Sequence, residues 1–322
     1  VNEVIDVKIW DLYRLAIEMG KASDPRTPEQ LEADMDDRCQ EYESLSEHEQ
    51  ANFDTEMLTN PYPDTRLLFG EPSKTVKHLF MGIDIGVSEL LLVDRLNAQG
   101  AGIDLVVAHH PEGIALTTLH KAMDLQTGIF SCCGVPVNVA DQILQVEAGK
   151  TAFSLKTGNY NQVVDAARLM QLPFMCVHTP TDNLAQRFWE ERFAENPPRR
   201  VGDIIEMLME EPEYVEASKL EAGPEILVGS AHNRAGRIMV DMTGGTDAGP
   251  VLYEKLAAAG IGTIVAMHLS DGVKEVLEKA HINIVIAGHM SSDSLGLNLW
   301  LDEVEAQGIK ITAGSGFTRC PR

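Results

Sequence analysis

Asp104-Leu105-Val106-Val107-Ala108 reads as a buried strand, and it runs directly into His109-His110-Pro111. Leu and Val give a strand no packing reason to finish in two imidazoles. Pro111 keeps His110 extended, because the residue before a proline is excluded from the helical region. Successive side chains on a strand point to opposite sides, so neighbouring histidines serve two metal ions more easily than they chelate one. The plain alternative is a pair of ordinary polar residues at a strand end.

Three further places put metal-capable side chains at the ends of apolar strands: His178 with Asp182, His268, and His289 with Asp293. In open α/β sheets the ligand crevice lies beyond the carboxyl ends of the strands, so all four positions suit one common site. His289 follows Ile284-Val285-Ile286-Ala287-Gly288, and Ser291 and Ser292 are candidate N-caps for a helix that Asp293 opens. An Asp in a first turn is also favoured by the helix dipole alone.

Imidazole and carboxylate together suit zinc, iron or manganese rather than calcium. A carboxylate bridging two such ions would hold a water that both acidify, which is hydrolytic chemistry. Other chemistries are poorly supported. Thr243-Gly244-Gly245-Thr246-Asp247-Ala248-Gly249 could take a phosphate on backbone N–H groups, yet it lacks the Lys and spacing of a P-loop and reads better as a tight turn. No Gly-x-Ser-x-Gly elbow is present, and Cys176 reads as a core residue.

The elements that must position these residues alternate. Val76 to Asp84 reads as strand, Val87 to Gln99 as helix and Ile103 to His110 as strand, the pattern of a parallel pair with a crossover helix. Residues 111 to 135 have no clear pattern, and Cys132-Cys133 reads as a buried small pair. Helices are expected near 138–150, 161–171, 183–195 and 201–210, with a strand at 173–179. The second part gives strands near 225–230, 236–242, 263–268, 283–289 and 310–314, and helices near 249–259, 272–280 and 293–307.

An internal similarity organises this series. Residues 99–110 lie on residues 257–268 without a gap, so that His110 falls on His268. Two related α/β halves with equivalent strand ends facing one cleft are therefore expected.

Residues 1–60 differ, with 16 Asp and Glu against 5 Lys and Arg. Ile5, Ile9, Leu12 and Ala16 recur at helical spacing, and both Thr27-Pro28-Glu29-Gln30 and Ser46-Glu47-His48-Glu49 have the capping-box form. An acidic helical appendage is expected, closed by Asn60-Pro61-Tyr62-Pro63-Asp64.

The 44% apolar fraction is that of a globular protein. A net charge of -23 argues against nonspecific binding to nucleic acid or to an anionic membrane. Five cysteines without a CxxC spacing suggest neither a disulfide framework nor a thiolate zinc knuckle. No apolar run reaches the length of a membrane span and no signal peptide is apparent, so a cytoplasmic protein is expected.

Taken in order, three segments resemble the Nif-three-like family of dinuclear metal proteins, often labelled GTP cyclohydrolase I type 2. Asp104 to Pro111 is similar to its strand ending in His-His-Pro, His178-Thr179-Pro180-Thr181-Asp182 to its His-Thr-x-x-Asp, and Gly288-His289-Met290-Ser291-Ser292-Asp293 to its Gly-His-x-x-x-Glu. The resemblance covers about residues 74–322. It implies two divalent metal ions (zinc, iron or manganese) held by His109, His110, Asp182, His289 and Asp293, the carboxylates bridging. Asp293 departs from the family's usual Glu, and His268 stands where an acidic residue is more common.

The resemblance also implies an α/β fold of two similar intertwined halves with mixed sheets facing a common metal cleft. With the N-terminal extension at 1–62, the halves fall at 74–182 and 224–322, joined by a helical connection at 183–223. A homohexamer is implied as well. The activity suggested is a metal-dependent hydrolase acting through a metal-bound hydroxide on a nucleotide-like or heterocyclic small molecule, with His178 or His268 moving a proton. The alternative is a non-enzymatic metal-binding, metal-delivery or regulatory scaffold.

Overall fold

The computed structural model describes residues 6–322. Ile5 of the N-terminal helical pattern lies outside the described residues.

Among the described residues, nine strands form two sheets: β1 Arg66–Phe69, β2 His78–Gly82, β3 Leu105–Ala108, β4 Phe174–Cys176, β5 Glu225–Val228, β6 Arg237–Asp241, β7 Ile261–Ala266, β8 Asn283–Ile286 and β9 Lys310–Gly314. One sheet runs in the order β1-β4-β3-β2-β9 and the other β5-β8-β7-β6. The two share a plan. In each, three parallel strands (β2-β3-β4, β6-β7-β8) carry a short antiparallel edge strand, β1 or β5, whose register slips once. Val106 pairs with Phe174 as Ile264 pairs with Ile284, so β3 and β7 occupy equivalent positions, as the match of 99–110 with 257–268 requires. The central strands are buried, β3 throughout and β7 at all but Gly262, which accounts for their Val-, Ile- and Leu-rich sequences.

Chain order alone puts Lys310–Gly314 with the second half. In space it pairs in parallel with β2 and closes the other sheet. The helix His289–Ala306 makes this crossing, buried along Leu297, Trp300, Leu301 and Val304 against the core. The halves are thus interleaved through β9.

The residues before β1 are helical: Ile9–Ala22, Pro28–Ser44 and Glu47–Gln50, followed by a 3-10 turn at Thr55–Leu58. Both capping boxes form at Thr27 and Ser46. The first helix is part of the core rather than an appendage, with Ile9, Leu12, Tyr13, Ala16 and Ile17 buried. At its end a β-carbon on Gly20 would come 2.7 Å from Pro180 Cα, a contact only glycine permits. The Pro28–Ser44 helix buries Leu31 alone and carries much of the acidic charge into solvent.

Several sequence expectations shift. The edge strand β1 has no counterpart in the periodicity reading. Residues 113–132 form two short helices joined by a 3-10 segment, and a further helix occupies Pro212–Ser218. Cys132 is exposed while Cys133 is buried, because the pair ends a helix whose carbonyls reach out to the Arg237 guanidinium. Among the described residues no helix is long and apolar enough to cross a membrane.

Candidate metal centre

Three connections converge. His109 and His110 follow β3, and their backbone N–H groups donate to the carbonyls of Gly82 and Ile83, so the chain after β2 holds both in place. His178 is the N-cap of the Thr179–Glu195 helix, and Asp182 lies one turn on. His289 opens the last long helix and Asp293 again lies one turn on.

That last point corrects the expected start. The helix begins at His289 because Gly288, at φ +111°, takes the cap conformation. Ser291 and Ser292 are therefore inside the helix, where each hydroxyl donates to the Gly288 carbonyl. Asp293 sits in the second turn, and the i,i+4 spacing puts it on the same face as His289, with Nε2 3.6 Å from Oδ2. His178 and Asp182 repeat the arrangement at 3.8 Å.

The orientation of three imidazoles is set from behind. His109 Nδ1–H donates to the Val177 carbonyl at 3.0 Å, His110 Nδ1–H to Asp84 at 2.7 Å and His178 Nδ1–H to Asp64 at 2.8 Å. Each ring used this way turns a bare Nε2 lone pair inward. What these lone pairs meet is negative: His109 Nε2 lies 3.3 Å from Asp182 Oδ1 and 3.5 Å from Asp293 Oδ1, and His110 Nε2 3.6 Å from Asp293 Oδ2. Asp182 Oδ1 and both Asp293 oxygens are buried without a hydrogen-bond donor. Lone pairs facing lone pairs in a dry site repel unless something positive lies between them.

The donors form three groupings, in each of which the ligand atoms lie within 4.8 Å of one another: His109, Asp182 and Asp293; His110, His289 and Asp293; and His109, His110 and His178. Asp293 joins the first two, and the adjacent His109 and His110 face different oxygens of it. A His/Asp cluster of this composition can hold a divalent transition metal ion, since nitrogen and carboxylate donors suit zinc, iron or manganese.

Charge in the metal-free cluster is shared unevenly. Burial acts to lower the His109 imidazole, but Asp293 and Asp182 outweigh it and hold it well above the usual range. Burial likewise acts to raise Asp293, and His109 outweighs it, so the carboxyl stays below its usual range. His110 is pushed down to about 4 by burial and by the positive charge of His109 and His178. A proton on His109 therefore competes with a cation for one position.

His268 stands apart from these groupings. Its ring packs against His289 with centroids 4.6 Å apart, and it lines a recess beside the cluster with Asp241, Thr243, Thr246 and Asp247. The Thr243–Gly249 segment is a turn, with Gly244 and Gly245 at positive φ and the Thr243 hydroxyl donating to Asn183. Cys176 is core, its thiol pushed up to about 12 by burial.

No family model matches the chain, and no curated protein matches it. Solved structures do. A NIF3 superfamily protein from Sphaerobacter thermophilus is 27% identical over 79% of this chain and 91% of its own, with a TM-score of 0.70. This likeness supports the NIF3-like family for the chain. Reduced HcgD from Methanocaldococcus jannaschii (15% identity, 84% of this chain and 97% of that one, TM-score 0.48) and a Bacillus cereus protein related to NIF3 (11%, 83% and 96%, 0.41) also match.

Two residues that hold this cluster, Asp64 and Asp84, were missed by the sequence reading. Asp84 ends the expected strand 76–84, and Asp64 closes the turn that precedes β1. Their one sequence signal is an acidic residue at the end of a turn or strand, which is too common to single them out.

Proposed function

We propose that this chain is a dinuclear metal-binding protein that works as a metal-dependent hydrolase on a nucleotide-like or heterocyclic small molecule. The observation that carries the reading is the inward set of imidazole Nε2 atoms facing donor-free carboxylate oxygens of Asp182 and Asp293. His109, Asp182 and Asp293 would hold one ion, and His110, His289 and Asp293 a second. Bound divalent cations supply Lewis acidity and lower the pKa of a coordinated water.

The remaining roles belong to the chain. Val177 and Asp84 fix the tautomers of His109 and His110, so the donors are set before a cation arrives. Burial of Asp182 and Asp293 keeps bulk water from the two carboxylates. His268 lines the recess without joining a donor grouping and is the imidazole free to move a proton. Carboxylates on the recess wall, Asp241 and Asp247, favour the N–H edge of a nitrogen heterocycle over a bare phosphate. A homo-oligomer, a hexamer by family resemblance, belongs to the same reading. Val146 and Phe153, seven residues apart and exposed on one helix face, are suited to such a contact.

The test is a panel of nucleotides, pterin precursors and phosphodiesters offered to protein loaded with manganese, iron or zinc. Saturable turnover lost in Asp182→Asn is expected. Fully loaded protein that turns over none of them would replace the hydrolase with the metal-binding scaffold.

A further inference from the structure

We propose that His178 is an additional nitrogen donor to the metal centre and that Asp64 is the positioning residue that aims it. This rests on the metal-binding reading above and departs from the proton-moving role that the sequence suggests for His178.

The geometry of Asp64 is the first observation. It is fully buried, and His178 is its one ion-pair partner among the described residues. Asp64 Oδ2 accepts both His178 Nδ1–H, at 2.8 Å, and the Thr179 hydroxyl, at 2.6 Å, while Oδ1 has no donor. A buried carboxylate so poorly neutralised is costly unless positive charge reaches it through the imidazole. Carboxylate–histidine–metal relays have this form, with the carboxylate fixing the tautomer and strengthening the far nitrogen as a donor.

The second observation is where that far nitrogen points. A ring nitrogen of His178 lies within 4.8 Å of ligand atoms of His109 and His110, and Nε2 is 3.8 Å from Asp182 Oδ2. The ring packs 4.8 Å from His109, centroid to centroid, and is buried. His178 is oriented as His109 and His110 are, with Nδ1–H donated behind and the lone pair inward.

The third is the rigidity behind Asp64. The turn carrying it is buried and pinned: Asn60 Nδ2 donates to the Tyr13 hydroxyl and the Thr65 carbonyl, Tyr62 OH donates to Asp24, and Arg66 Nε donates to the Pro63 carbonyl. The Thr65 hydroxyl accepts the His178 backbone N–H. Residues 9–66 thereby act on the centre, since the first helix and its following turn fix the carboxylate that fixes the imidazole.

The experiment uses the full chain labelled with 15N-histidine and titrated with zinc, reading the imidazole nitrogens by NMR. Four imidazoles with zinc-shifted Nε2 and a retained Nδ1 proton are expected, one of them displaced by Asp64→Asn. Competition against a chelator should show zinc binding weakened at least about 10-fold in His178→Ala and up to about 10-fold in Asp64→Asn. Three shifted imidazoles in the wild-type chain overturn the proposal whatever the variants do. Four shifted imidazoles with none responding to Asp64→Asn overturn it as well. A wild-type chain with no zinc-shifted imidazole would instead remove the metal-binding reading itself.

Discussion

Gly296 lies against Thr181 so closely that a β-carbon at 296 would stand 2.1 Å from the Thr181 carbonyl oxygen. This is the crossing point of the two helices that begin with His178-Asp182 and His289-Asp293, and it sets how far apart the two carboxylates are.

Gly296→Ala must push these helices apart. Overpacking of this kind costs on the order of 1–3 kcal/mol, and the displacement acts directly on the donor spacing. We expect a lower Tm by calorimetry together with reduced metal retention after desalting. A variant with wild-type Tm and metal content would show that the crossing does not control the centre.

Asp293 faces three imidazoles, Oδ1 toward His109 and Oδ2 toward His110 and His289, so its carboxylate should matter more than any single imidazole. Asp293→Asn is expected to lower retained metal more than His110→Ala does, measured by elemental analysis of protein purified without chelator. Equal losses would argue against a bridging role.

Metal uptake should rise with pH. The His109 imidazole is held well above its ordinary value in the metal-free chain, so its stabilising contribution is present in full below about pH 6.5 and fades as pH passes the raised value. A cation must displace that proton. Apparent zinc affinity measured by competition is therefore expected to increase steadily from pH 6 to pH 8, and a flat profile would contradict the proton–cation exchange.

Asp241 predicts the opposite kind of pH effect. Burial pushes its carboxyl up to about 6, with the Tyr253 hydroxyl and His268 only partly offsetting it. A raised carboxyl favours the protonated form in the fold, so ionisation costs stability as pH rises from about 4 to about 6, by up to about 3 kcal/mol, and the cost persists above that. In metal-free protein, Asp241→Asn should raise Tm at pH 7.5 and leave it unchanged near pH 3.5. Destabilisation at both values would mean that the ionised carboxylate is supported by contacts worth more than its burial.

Much of this arrangement was legible in the sequence because apolar strands that stop at histidine are chemically conspicuous. His109, His110, His178 and His289 each end a Val/Ile/Leu-rich or Met/Cys-containing run, and the match of 99–110 with 257–268 fixed β3 and β7 as equivalents. What hid was of another kind. β1 is a short edge strand with one register slip, too short for a periodic signal. The start at His289 depends on the positive φ of Gly288, which outweighed the N-cap preference of Ser291 and Ser292. Asp64 and Asp84 act through contacts more than twenty residues away in the chain, and no local pattern encodes them. The return of β9 to the first sheet is likewise a packing outcome of the last helix.

The most direct test of the metal centre is elemental analysis of the wild-type chain purified without chelator, beside the double variant His109→Ala/His289→Ala. These substitutions take one imidazole from each grouping that shares Asp293. Transition metal bound to the wild-type chain and lost from a folded double variant is the predicted result. Metal content that is unchanged in the double variant would contradict the site.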